Sequence, residues 1–185
     1  TGLENHFKYG EYIYAKSEGS LLSIYLFNRL QSKDADIELL TKTTETNFDI
    51  KVKVNNLDGK ALKIRKPLWA KDVRVKVNGS QVEASIENGY FKFEIQDGIV
   101  ELLCTCNGYL SKCVDDEKTV SICWGPYVLA AISEQTEFIS FDINDETVGE
   151  KLFHDGNLNF VMGDYKFMPL NRIDKENYHI YVKIR

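Results

Sequence analysis

The sequence predicts an all-β fold, an antiparallel β-sandwich of jelly-roll-like type made of one or two packed β-units, preceded by a short helical or irregular segment. Three observations predict it. Apolar and polar residues alternate with period two in many short segments, Asn-Gly pairs punctuate those segments, and turn signals recur at near-regular spacing with little helical periodicity between them. Phe48, Ile50, Val52 and Val54 alternate with Asp49, Lys51 and Lys53, the pattern of a strand with one face in a core and one in water. Val73, Val75 and Val77 alternate with Arg74 and Lys76, and Phe91, Phe93 and Ile95 with Lys92 and Glu94. Asn78-Gly79 and Asn88-Gly89 lie between these last two, and such dipeptides supply the positive φ angles of tight hairpin turns. The centre of the chain therefore reads as an antiparallel meander.

Taken in order, the first fifteen residues carry the only helical hint, from Leu3 with Phe7 and Tyr9 with Tyr12 and Ile13, interrupted by Gly10. Strands are expected at 21–27, 37–43, 48–54, 61–66, 73–77, 81–84, 90–95 and 99–105, then at 120–124, 127–132, 138–143 and 178–184. The polar, glycine-dotted stretch 142–164 reads as a long loop holding one short strand near Leu158–Val161. A β-sandwich over 19–115 and a second, smaller β-unit over 116–185 follow from this spacing. No internal repeat or low-complexity tract is visible.

Composition excludes several function classes. A net charge of −5 with interspersed lysines leaves no continuous basic stripe for a phosphate backbone, so nucleic acid is not an expected partner. No apolar run approaches the roughly 20 residues that span a bilayer, and Thr1-Gly-Leu-Glu-Asn-His lacks the basic end and apolar stretch of a signal peptide. No membrane partner is expected, although a chain that starts inside a larger protein would hide a targeting signal. Cys104, Cys106, Cys113 and Cys123 form no paired C-x-x-C knuckles and have no nearby histidines, so their spacing does not match a structural zinc template. Cys104 and Cys106 are two apart in an apolar segment, where a strand points both to one face. They read as small core residues kept reduced, which favours a cytoplasmic location; a disulfide through Cys113 or Cys123 stays open.

Several motifs together carry a family resemblance. The opening Thr1-Gly2-Leu3-Glu4-Asn5-His6-x-Lys8-Tyr9-Gly10, the stretch Leu62–Ala70 followed by Val75-Lys-Val-Asn-Gly79, and the Gly89-Tyr90 pair occur in order. Gly125-Pro126 and the terminal Pro169-Leu with Tyr178-x-x-Tyr181 complete the set. This ordered set resembles the C-terminal portion of the β-L-arabinofuranosidases, glycoside hydrolase family 127 and its relatives, over essentially the whole chain. Two departures stand out: the family's usual Ile-Pro before the tryptophan is Lys66-Pro67, and its Arg-x-Trp after the Gly-Tyr pair is missing, with Glu94-Ile-Gln96 in that region.

The resemblance implies a truncated architecture. In the family an (α/α)6 barrel carries a zinc-thiolate centre with a cysteine nucleophile and a glutamate at the metal, and β-sandwich domains follow it. Neither the nucleophile nor the remaining ligands map onto this chain, so no catalytic residue, no metal site and no cofactor is expected here. Residues 1–18 are expected as a remnant of the barrel's end. Glu4 and His6 are the candidate substrate-binding residues, as remnants of a cleft rim, with helix-surface contacts as the competing reading.

Other candidates have plainer alternatives. Trp69 suits sugar stacking but sits where a core plug is expected, and Trp124-Gly125-Pro126 reads as a strand end and turn. Asp115-Asp116-Glu117 reads as a solvated turn rather than half of an opposed carboxylate pair. His154 and His179 stand alone, and no serine lies in a nucleophile elbow. The expectation is a non-catalytic accessory region whose partner is its own catalytic barrel. A carbohydrate-binding module for arabinose-containing oligosaccharides, using exposed aromatics, is the alternative. A homodimer is the competing way to cover the apolar residues of the first segment.

Overall fold

The structure is a computed structural model that describes residues 12–17, 19–23 and 28–185. It is nearly all β and divides into two compact units. The first comprises the described residues up to Lys42 with Asp49–Leu68 and Asp72–Cys104; the second comprises Thr43–Phe48, Trp69–Lys71 and Thr105–Arg185. The expected boundary at 115/116 falls instead inside a hairpin of the second unit.

The strands of the first unit are β1 (Tyr14–Ser17), β2 (Ser20–Ser23), β3 (Asn28–Gln31), β4 (Ala35–Thr43), β5 (Asn47–Leu57) and β6 (Ala61–Arg65). They continue with β7 (Asp72–Val77), β8 (Ser80–Val82), β9 (Ser85–Glu87), β10 (Tyr90–Phe93) and β11 (Gly98–Thr105). They form two sheets, in the orders β1-β2-β6-β10-β9 and β3-β4-β5-β11-β7-β8. Alternation fixes their buried faces: Leu62, Ile64, Phe91 and Phe93 on one sheet and Ile37, Leu39, Ile50, Val52, Val54, Val100 and Leu102 on the other are buried. On the wet face of the second sheet, Lys51 and Glu101 pair at 3.3 Å across β5 and β11.

The Asn-Gly pairs make the hairpins that their residues predict. Asn78 (φ 51°) and Gly79 (φ 83°) join β7 to β8, and Asn88 (φ 50°) and Gly89 (φ 81°) join β9 to β10. They do not make one meander. β8 and β9 belong to different sheets, because β7 pairs with β11 whereas β10 pairs with β6, so the chain changes sheet at Glu83-Ala84. Nor is every pair antiparallel: β2 runs parallel to β6, with Leu21 opposite Leu62.

Of the helical hint, Leu3, Phe7 and Tyr9 lie outside the described residues, while Tyr14–Ser17 is strand β1, paired antiparallel with β2 from Tyr14↔Ser23 to Ser17↔Ser20. Residues 14–17 are therefore sheet residues of the first unit rather than part of a separate barrel remnant.

The second unit holds β12 (Gly108–Lys112), β13 (Thr119–Trp124), β14 (Tyr127–Ile132), β15 (Ser140–Phe141), helix α1 (Val148–Lys151), β16 (Phe153–Gly156) and β17 (Asn159–Met162). It ends with β18 (Tyr165–Pro169), a 3-10 turn at Leu170–Arg172, β19 (Tyr178–His179) and β20 (Tyr181–Ile184). Seven strands run in the order β15-β20-β13-β14-β18-β17-β16, with β12 on β13 and β19 on β14. Val120, Ile122, Leu129, Ala131, Phe160, Phe167 and Val182 form its core. Cys104 is buried in β11, but the strand ends at Thr105, and Cys106 is buried in the second unit, its N–H donating to the Thr46 carbonyl at 2.8 Å.

The stretch 142–164 is more structured than its composition suggests. An Asx turn, in which Asn144 Oδ1 accepts the N–H groups of Glu146 (3.0 Å) and Thr147 (2.9 Å), leads into the single turn of α1. β16 and β17 then form a hairpin through Asn157 (φ 51°) and Leu158 (φ 60°). A leucine at positive φ costs of order 1–3 kcal/mol. Burial of Leu158 returns about 1.5–3 kcal/mol, and two partners fix Asn157 in the turn. Its N–H donates to Glu45 Oε1 at 2.9 Å, its carbonyl accepts from Arg172, and Glu45 itself is anchored through its backbone carbonyl to Trp124.

Candidate functional site

Glu4 and His6, the expected substrate-binding residues, lie outside the described residues. The tryptophan and histidine candidates are engaged structurally. Trp69 is half-buried, its ring edge-on to Phe48 at 5.7 Å and 82°, which is the geometry of a plug rather than a sugar platform. Trp124 is buried, donates its indole N–H to the Glu45 carbonyl at 3.1 Å, and meets His154 edge-on at 4.7 Å and Phe160 at 5.1 Å. His154 is thus the rim of an aromatic cluster, while His179 Nε2 lies 2.9 Å from the Gln135 carbonyl oxygen. Among the described residues, neither imidazole pairs with a carboxylate. Glu45 is the residue that sequence reasoning missed. It sits in a polar turn, Thr43-Thr44-Glu45-Thr46, with no local sign that it anchors a tryptophan 79 positions away and a hairpin 112 positions away.

Each unit contains a small cavity. In the first, about 280 Å³ is lined by Leu21, Leu30 and Leu57, with Tyr14, Lys16 and Asp34 among the polar lining. Burial pushes the Tyr14 hydroxyl up to about 12, against the opposing hydrogen bonds to Ser23 and Asn28, so it remains a neutral donor rather than a base. In the second, about 250 Å³ lies over Ile132, Phe167 and Met168, with Asp155, Lys166 and Glu176 at the lining. Glu176 Oε2 accepts the N–H groups of Asp174 and Lys175 at 3.0 Å each, and these bonds hold its carboxyl below the usual range. A glycosidase acid needs the reverse, a carboxyl raised towards neutrality.

A zinc-thiolate centre finds no fit in the described residues. No group of three His, Cys, Asp or Glu side chains converges among them, and burial pushes the Cys123 thiol up, away from the thiolate a metal needs.

Asp116 is tied down rather than merely solvated. Lys183 donates to Oδ2, as does Thr119 Oγ1 at 2.7 Å, and Lys118 N–H donates to Oδ1 at 3.0 Å. With the lysine leading, these bonds hold the carboxyl far below its ordinary value. The ammonium of Lys183 also lies 5.2 Å from the centre of the Phe138 ring. A depressed folded pKa contributes stability that is present above the unfolded carboxylate value, near 4, and disappears as the pH falls towards the folded one. Asp116→Asn is therefore expected to lower stability at neutral pH and to flatten the loss of stability on acidification below about pH 4. Urea titrations across that range check both effects.

Comparison with known proteins supplies what the geometry alone does not. Residues 21–97 match the family model described as "Beta-L-arabinofuranosidase, GH127 middle domain". The resemblance to glycoside hydrolase family 127 stands. Solved structures agree with it in fold: a GH127 β-L-arabinofuranosidase from Geobacillus stearothermophilus T6 superposes with a TM-score of 0.59 at 16% identity, over 96% of this chain and 35% of that one. A protein described as a glycoside hydrolase gives 0.65 at 17% identity over 98% and 38%, and a further GH127 β-arabinofuranosidase gives 0.56 at 19% over 94% and 36%. The chain thus spans little more than a third of the length of these solved structures. No curated protein sequence matches it.

Proposed function

We propose that this chain is the non-catalytic accessory β-sandwich region of a β-L-arabinofuranosidase-like glycoside hydrolase, serving as structural support for an (α/α)6 catalytic barrel. One observation carries the reading: a chain that aligns over nearly its whole length with solved glycoside hydrolase structures, two of them GH127 enzymes, covers only 35–38% of theirs. The chemistry of the described residues supports it. Glu45 and Asp116 hold turns and strands together, Glu176 is fixed as an anion by backbone N–H groups, and both tryptophans pack against neighbouring aromatics. A retaining or inverting glycosidase needs two carboxyl groups, one of them protonated at working pH. The partner of this region is the barrel; a sugar-binding role would require exposed aromatics sharing one face, and the Phe138 ring has Lys183 over it. Turnover of aryl β-L-arabinofuranosides by the purified chain tests the proposal, and none above background is expected.

A further inference from the structure

The chain contains three Asn-Gly pairs, Asn78-Gly79, Asn88-Gly89 and Asn107-Gly108, and the fold treats them differently. Such pairs are chemically labile because glycine, with no side chain, leaves its own amide nitrogen unhindered towards the preceding side-chain amide. Asn78 is held twice. Its Oδ1 accepts the Ile99 N–H at 2.8 Å, and its amide lies so close to Gly98 that a Cβ there would meet Oδ1 at 2.4 Å. Asn107 is packed as tightly, its Oδ1 2.7 Å from where a Cβ on Gly149 would be, and Gly108 is buried in β12, opposite Trp124. Asn88 and Gly89 are both exposed; the Asn88 side chain makes no hydrogen bond among the described residues, and the Gly89 N–H donates none.

We propose that the β9–β10 turn is a site of spontaneous covalent modification, in which Asn88 converts through a succinimide to aspartate and isoaspartate, while Asn78, exposed like Asn88, is restrained by its bond to the Ile99 N–H and Asn107 by its packing beside Gly149 and the burial of Gly108. The deprotonated Gly89 nitrogen attacks Asn88 Cγ, forming the N–C bond of a five-membered imide. The C–N bond of the side-chain amide breaks, and its nitrogen leaves as ammonia with the proton that Gly89 lost. Water then adds to either imide carbonyl and reopens the ring, so no oxidant or reductant is involved.

The isoaspartate product carries its chain through the former side chain, one methylene longer, and a two-residue turn at φ 50° and 81° has no room for it. The Glu87↔Tyr90 pairing and the 2.8 Å bond from Lys66 N–H to the Gly89 carbonyl both depend on that turn. Either product also places a carboxylate next to Glu87, whose own carboxylate is held by Lys63 at 2.9 Å.

The test is peptide mapping of the whole chain after incubation in mildly alkaline buffer, with isoaspartate read by enzymatic methyl transfer. In the denatured chain the three sites should convert at similar rates, since each is followed by glycine. In the native chain Asn88 should convert at least about fivefold faster than Asn78, the factor matching the ~1 kcal/mol of the net hydrogen bond from Ile99 that must be broken there, and at least as much faster than Asn107, whose glycine nitrogen is buried. Asn88→Gln should remove the isoaspartate signal from this turn and leave the other two sites unchanged. Equal native rates at the three sites, faster conversion at Asn78 or Asn107, or no native product at Asn88 on a timescale where the denatured chain converts fully would each overturn the proposal.

Discussion

Trp124→Ala is expected to lower the unfolding free energy by about 3–5 kcal/mol, the range for truncating a buried large aromatic. Three losses coincide at this residue. The ring is 7% exposed and touches Phe160 and His154, so its removal opens a cavity among aromatics. The indole N–H also satisfies the Glu45 carbonyl, and Glu45 in turn holds the Asn157 N–H in the strained β16–β17 turn. Trp124→Phe separates the contributions: it retains most of the apolar area and loses the hydrogen bond, so a smaller loss of about 1–2 kcal/mol is expected. Chemical denaturation of the two variants measures both. A Trp124→Ala loss under about 1 kcal/mol would mean that the cluster does not hold the second unit together.

Gly125→Ala has the next largest expected effect, and two separable causes. Gly125 has φ 52°, where a side chain costs roughly 1–2 kcal/mol. A Cβ would also stand 2.6 Å from Cys106 Sγ and 3.2 Å from Cys106 Cβ, and such overpacking typically costs 1–3 kcal/mol more. The total, about 2–5 kcal/mol, should be partly recovered by Cys106→Ala, which removes the sulfur but leaves the backbone strain. The double-mutant cycle therefore predicts a favourable coupling in the Gly125→Ala, Cys106→Ala pair. Additive effects would show that backbone strain alone requires glycine there.

These residues also show which parts of the fold could be read from the chain. β4, β5, β7, β10 and β11 were legible because one face of each is buried, and burial writes itself into the sequence as alternation. The turns at Asn78-Gly79 and Asn88-Gly89 were legible because their residue types match the backbone they need. The β16–β17 hairpin was not, because its turn is Asn157-Leu158, a pair whose conformation is imposed by burial of the leucine and by Glu45 from far away in sequence. Sheet assignment was illegible for a related reason. Nothing in Leu21–Ser23 or Leu62–Ile64 says that they run side by side and parallel, since pairing partners are chosen by the whole core. The expected strands over 138–143 and 178–184 were too long: only Ser140–Phe141 pairs, and Ile180 separates β19 on β14 from β20 on β13. Of the candidate site, the packed role of Trp69 and the turn at Gly125 were legible, whereas the grip of Lys183 on Asp116, 67 positions apart, was not. The family resemblance came through despite these gaps because it rested on the order of several motifs rather than on any single strand.

Turnover is the most direct test of the central claim that this chain supports chemistry it does not perform. The purified chain, incubated with an aryl β-L-arabinofuranoside, should release no aryl alcohol above the rate of a heat-denatured control, with or without added zinc. Turnover that survives chelation and cysteine alkylation but disappears in Glu4→Ala would contradict the account and make the chain an enzyme in its own right.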